Sequence, residues 1–238
     1  LDLDEAQRLR ALDWRGPILL LEGVFEPRDL ELCSRLNLWH VVHCDAQIDW
    51  LAAHKTHQPH RVFLKLNSGM NRLGFAPAAC RSAWTRLNAL PQVDEISLVT
   101  HFADADAPRG IAAQLAVWQA VTEDLPGERS IANSAATLRH AADAGVRADW
   151  VRAGILSYGS APDFPEHDIA HWGLRPTPGR SALPALSPPL KTVPPETVQT
   201  GSVLLAKVTG LPDAPPVAIK PISAAPTLTE DGGLKEMV

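Results

Sequence analysis

Apolar and polar positions along the first 155 residues switch repeatedly between two periods. Short apolar runs occupy residues 18–21, 39–43, 62–66, 96–101, 129–133 and 150–155. Runs of that length, rich in branched side chains, predict buried strands. Amphipathic segments lie between them. Residues 27–36 open with Pro27 in the first turn, where the missing N–H costs nothing. Residues 45–53 open on Asp45, a natural N-cap. Residues 78–90 step Trp84, Leu87 and Leu90 along one side, and residues 111–121 do the same with Leu115, Trp118 and Val121. A further helix over residues 3–12, with Leu3, Ala6, Leu9 and Leu12 in register, precedes the first strand. Alternation of this kind requires parallel strands joined by right-handed crossovers. The fold class is therefore α/β, and periodicity allows a barrel or an open sheet.

The pattern ends near residue 175. Twelve of the 21 prolines fall in residues 176–238, and proline removes backbone donors and fixes φ, which disfavours a central sheet. Residues 203–208 and 217–219 keep short β-prone runs. The chain thus divides into a folded unit, 1–175, and a Pro-rich, poorly structured extension, 176–238. A net charge of −5 gives no electrostatic case for nucleic acid or an anionic membrane. No apolar run approaches the ~18 residues of a spanning helix. Cys33, Cys44 and Cys80 show no C-x-x-C spacing, which reads as a reduced, cytoplasmic setting. The opening Leu1-Asp2-Leu3-Asp4 is no signal peptide and no initiator methionine, so the native beginning is expected to be missing.

Candidate chemistry gathers at the C-terminal ends of the strands, where α/β barrels carry their sites. Lys65 lies within one strand and Arg72 just past it. A rim arginine can clamp a carboxylate, although a lysine snorkelling beside a surface arginine would look the same. His101 closes the next strand and could stack on a flat ring or move a proton, or be held by polar neighbours. Asn133 and Ser134 place a hydroxyl and backbone donors at a helix start, suited to phosphate or to ordinary capping. Arg152 precedes Gly154 and Ile155; an ion pair with Asp149 is the plain structural alternative. His54, His57 and His60 recur every three residues, with His40 and His43 nearby. That triplet reads as a helix end and polar loop broken by Pro59, far from any strand end, so a metal site is not expected.

In this order the segments resemble the alanine racemases. The matching stretches are Lys65-Leu66-Asn67-Ser68-Gly69-Met70-Asn71-Arg72-Leu73-Gly74, Thr100-His101-Phe102-Ala103-Asp104-Ala105-Asp106, Asn133-Ser134-Ala135, and Arg152-Ala153-Gly154-Ile155 followed by Tyr158-Gly159. Residues 17–23 match the family's early strand, and the likeness spans residues 1–175. It implies an incomplete (β/α)8 TIM-type barrel of about six strand–helix units. It also implies pyridoxal 5'-phosphate (PLP) as cofactor, interconversion of L- and D-alanine for peptidoglycan, and homodimers among full-length relatives. By the same resemblance Arg72 binds the substrate carboxylate and Lys65 orients it. His101 lies against the pyridine ring, Asn133 sits beside it, and Ser134 gives its hydroxyl to the phosphate. Arg152 donates to the ring nitrogen, and the N–H groups of Gly154 and Ile155 reach the phosphate. The wording around Met70-Asn71-Arg72 and Thr100-His101-Phe102 favours racemases over the related decarboxylases.

Two parts of the family pattern are absent. The Schiff-base lysine belongs to an early Lys-Ala-Asn-Ala-Tyr-Gly-His strand, and only Lys55 and Lys65 occur before residue 175. The opposing tyrosine belongs to a Gly-Tyr-Gly segment of the C-terminal domain, and the sole tyrosine here is Tyr158. An N-terminally truncated, inactive racemase barrel is the expectation, with a non-catalytic PLP-binding or structural remnant as the alternative.

Overall fold

The computed structural model describes residues 2–55, 58–158, 160–162, 166–167, 171 and 205–207. The proposed boundary near 175, and most of the Pro-rich segment, lie outside them. Helix α1 (Leu3–Ala11) starts from a capping box in which Asp2 and Glu5 satisfy each other's backbone N–H. Ala6 is buried, Leu3 and Leu9 pack beside it, and Leu12, already past the helix, is exposed. There follow β1 (Leu19–Leu20), α2 (Asp29–Arg35), β2 (Trp39–Val42), α3 (Asp45–Ala53), β3 (His60–Lys65) and α4 (Pro77–Asn88). Then come β4 (Val93–Val99), α5 (Ala112–Thr122), β5 (Arg129–Asn133), α6 (Ser134–Arg139), β6 (Trp150–Arg152), a 3-10 turn (Ile155–Tyr158) and β7 (Leu205–Lys207).

Strands β1 to β6 pair in sequence order, all parallel, and with their helices form a half-barrel. The β-prone run at 203–208 contains β7, which joins β6 antiparallel. Because strands covered on both faces need apolar residues on both, they read as unbroken hydrophobic runs. Leu20, Val42, Leu64, Leu98 and Ile131 pack with Leu30, Leu51, Leu87 and Trp118 of the helices. The opposite face gathers Leu19, Val41, Phe63, Val99 and Trp150. Each such buried side chain contributes roughly 1.5–3 kcal/mol.

Helix starts departed from the sequence reading in two places. Helix α2 begins at Asp29, not Pro27, because the Asp29 carboxylate accepts from the N–H groups of Phe25 and Glu26 and shapes the turn ahead of it. In α3 Asp45 is the first helical residue and its carboxylate turns outward to Arg86. No side chain caps α3; the Gln47 side-chain oxygen instead accepts from His43 N, ahead of the helix, at 2.8 Å.

The N-terminal ends of the strands carry a cation closed in by aromatics. The Arg61 guanidinium lies 4.0 Å from the Trp39 ring centroid and pairs with Glu95 and Glu128 at 2.8 and 2.5 Å. The Trp150 indole N–H donates to that same Glu128 carboxylate.

Candidate functional site

At the other end of the sheet the loop after β3 folds back onto its own strand. Phe75 N donates to Lys65 O and Asn67 N to Phe75 O, at 2.8 and 2.9 Å. Gly74, with φ +119°, sits where a Cβ would come within 2.7 Å of Asn67 N, so only glycine fits. Inside the loop the Asn67 side chain accepts from the N–H groups of Gly69 and Asn71 and donates to Asn71 Oδ1. This holds Asn71 in the left-handed region (φ 58°) and turns Arg72 toward the strand tips.

Arg72, Lys65, His101, Asn133, Ser134, Arg152, Gly154 and Ile155 all line one cavity of about 560 Å³. Every residue singled out from the sequence is therefore in the same place. The walls add Glu22, Met70, Thr100, Phe102 and Asp106.

Arg152 is buried at its centre. It donates to Ser130 O at 2.8 Å, Ser130 Oγ at 2.7 Å and Thr100 O at 2.6 Å, with His101 Nδ1 at 3.4 Å. The alternative partner Asp149 accepts instead from Arg129 N, and among the described residues Arg152 meets no carboxylate. Burial pushes its guanidinium down to about 10. Lys65 is likewise pushed down to about 8, first by burial and then by Arg72 and Arg152, with Glu22 opposing. His101 falls to about 3 through burial and the charges of Arg152, Arg72 and Lys65, so its ring is neutral. A neutral imidazole offers a single acceptor nitrogen. Both donors facing it, Arg152 and Asn133 Nδ2, stand at 3.4 Å.

Asn133 caps α6, accepting from Ala136 N at 2.9 Å, while its amide donates to Phe102 O at 3.1 Å. The Ser134 hydroxyl faces the cavity and accepts from Leu156 N at 3.5 Å. The Gly154 N–H closes a tight turn onto Arg152 O at 2.9 Å, so that turn must rearrange before this N–H can meet an anion.

Three contributors were not singled out beforehand. Glu22 follows β1 directly, and the rule that drew attention to the other strand tips would have found it. Ser130 and Gln114 had no such signal, since they act through contacts between elements distant in sequence. The histidine reading also needs correction. His60 begins β3 and is buried, with His40 Nε2 at 3.3 Å from its Nδ1 and the His54 ring centroid 5.3 Å away. His57 lies outside the described residues. No group of three His, Cys, Asp or Glu side chains among the described residues could hold a metal ion. No described helix is long and apolar enough to cross a membrane.

A parallel half-barrel with an electropositive cavity at its strand tips defines an α/β-barrel site for an anionic small molecule. The family profile described as "Alanine racemase, N-terminal domain" matches residues 1–162. An alanine racemase of Methylibium petroleiphilum is 81% identical over 177 residues, 74% of this chain and 48% of that protein. One of Leptothrix cholodnii is 77% identical over 180 residues, with the same shares of 74% and 48%. The crystal structure of the biosynthetic alanine racemase from Pseudomonas aeruginosa superposes with a TM-score of 0.66 at 41% identity, covering 73% of this chain and 48% of that one. The chain belongs to the alanine racemase family, whose members depend on PLP, and it spans about half the length of the relatives it matches.

Proposed function

We propose that the cavity is the pyridoxal-phosphate and alanine site of a racemase that interconverts L- and D-alanine for peptidoglycan. The observation that carries this reading is the convergence of all the matched residues on one wall-to-wall cavity. The donor set suits the cofactor: Lys65, Arg72 and Arg152 bring positive charge, against only Glu22 and Asp106 on the walls. Ser134, Gly154 and Ile155 would hold the phosphate, with His101 and Asn133 against the ring and Arg152 toward its nitrogen. Bound PLP supplies an electron-withdrawing ring that acidifies the α-carbon of an amino acid. Arg72, with Lys65 behind it, would orient the alanine carboxylate. Arg152 stays charged at neutral pH and so gives the ring nitrogen a hydrogen bond without giving up its proton.

For the 238 residues taken by themselves we propose binding without turnover. Among the described residues Lys65 is the lone amine on the cavity wall; it is buried, the charges of Arg72 and Arg152 act on it, and in the family pattern it fills a position other than that of the Schiff-base lysine. The Gly-Tyr-Gly segment that carries the family's opposing base does not occur in these 238 residues, whose sole tyrosine is Tyr158. The expected outcome with PLP and L-alanine is no D-alanine above the uncatalysed level. Measured racemisation would overturn this part of the reading. We further propose that the racemase unit extends to about residue 175, that it works in the cytoplasm with Cys33, Cys44 and Cys80 unbridged, and that the whole protein pairs as a homodimer.

A further inference from the structure

The Arg72 loop and the His101 loop belong to different strand–helix units, yet one side chain lies beside both. Gln114, near the start of α5, is buried. Its Oε1 accepts from Ala103 N at 2.9 Å, which fixes the backbone just after His101 and Phe102. Its Cγ and Nε2 lie beside Gly69, where an added Cβ would come within 3.3 Å of each, and the buried Nε2 has no hydrogen-bond partner among the described residues. Gly69 has φ +138° and stands in the loop that ends in Arg72. A second tie runs alongside, from Ser68 Oγ to Thr100 Oγ1 at 2.8 Å, with the Thr100 hydroxyl donating to Leu66 O at 2.8 Å.

We propose that Gln114 is a positioning residue that latches the Arg72 loop to the His101 loop. It touches neither cofactor nor substrate and does not line the cavity. Its function in the site rests on the reading given above, but the latch is a property of the chain alone. The Arg72 loop takes positive φ at Gly69, Asn71 and Gly74 and is tied together by the Asn67 side chain. An external stop against Gly69 sets where its end, and hence Arg72, comes to rest.

The test compares Gln114→Ala, which removes both the acceptor and the side chain beside Gly69, with Gln114→Glu, which keeps the acceptor oxygen and the bulk. Amide hydrogen exchange is followed in the full chain without ligand. In Gln114→Ala the segments 67–75 and 101–106 should both exchange about tenfold faster or more, while β3 and β4 stay as protected as before. Gln114→Glu should restore most of that protection. Acceleration confined to 101–106 would overturn the latch, because Gln114 would then serve only its own loop. Uniform acceleration across the barrel would overturn it as well, since general packing would then be what Gln114 provides. A parallel PLP titration separates the two ideas. If the unsubstituted chain does not bind PLP, the functional reading fails while the exchange result still decides the latch. If it binds, Gln114→Ala should bind about tenfold more weakly, and undiminished binding would count against a positioning role.

Discussion

The two ends of the half-barrel treat an arginine in opposite ways. At the N-terminal ends of the strands Arg61 is met by two carboxylates and capped by the Trp39 ring. At the C-terminal ends Arg152 is more deeply buried and meets only carbonyls, a hydroxyl and a neutral histidine. Charge that is met by carboxylates inside the chain holds the chain together. Charge left unpaired after such a burial cost is free to pair with something brought from outside. The contrast supports reading one end as structural and the other as the candidate site.

The largest expected effect breaks the structural end. Arg61→Ala leaves Glu95 and Glu128 facing each other without a cation and opens space beside Trp39. It should cost about 3 kcal/mol in denaturant unfolding, with no change in PLP affinity for the fraction that remains folded. The next effect sharpens the other end. Arg152→Met removes an uncompensated charge, so thermal stability should hold or rise, while PLP affinity drops between about tenfold and a hundredfold. A variant that lost stability but kept its affinity would invert the comparison.

A smaller effect concerns pH. His40, His60 and His101 are held well below the ordinary imidazole range, at about 3, 4 and 3, in each case chiefly by burial. Their folded values lie below their unfolded ones. The unfolded chain therefore binds more protons, and stability present above pH 6.5 is lost as pH falls from there toward 3. Melting followed from pH 7 to pH 4 should show this decline. His40→Gln should flatten part of it with PLP binding intact, whereas His101→Asn should flatten part of it and weaken binding too.

The sheet and its order were legible because buried parallel strands are written as local apolar runs, and Trp118 or Leu87 announce a helix face within a few residues. The site was legible because its residues crowd within a few positions of strand ends. What escaped was fixed by contacts across the fold. Asp29 outweighed Pro27, and Asp45 turned to Arg86 instead of capping α3, because a carboxylate can reach partners that periodicity does not record. His60 was misplaced into a loop because a polar residue at the first position of a strand interrupts the apolar run that would reveal it. Ser130 and Gln114 were invisible because their partners lie on other elements.

The central claim is that these strand tips form a cavity able to hold a phosphorylated pyridine ring without a covalent bond. The direct measurement is an equilibrium titration of the full chain with PLP, followed by borohydride reduction and peptide mass analysis. The account predicts saturable binding that Arg152→Met weakens, no lysine-linked absorbance near ~420 nm, and no reduced adduct on Lys65 or Lys55. Absence of saturable binding, or binding indifferent to Arg152, would contradict it.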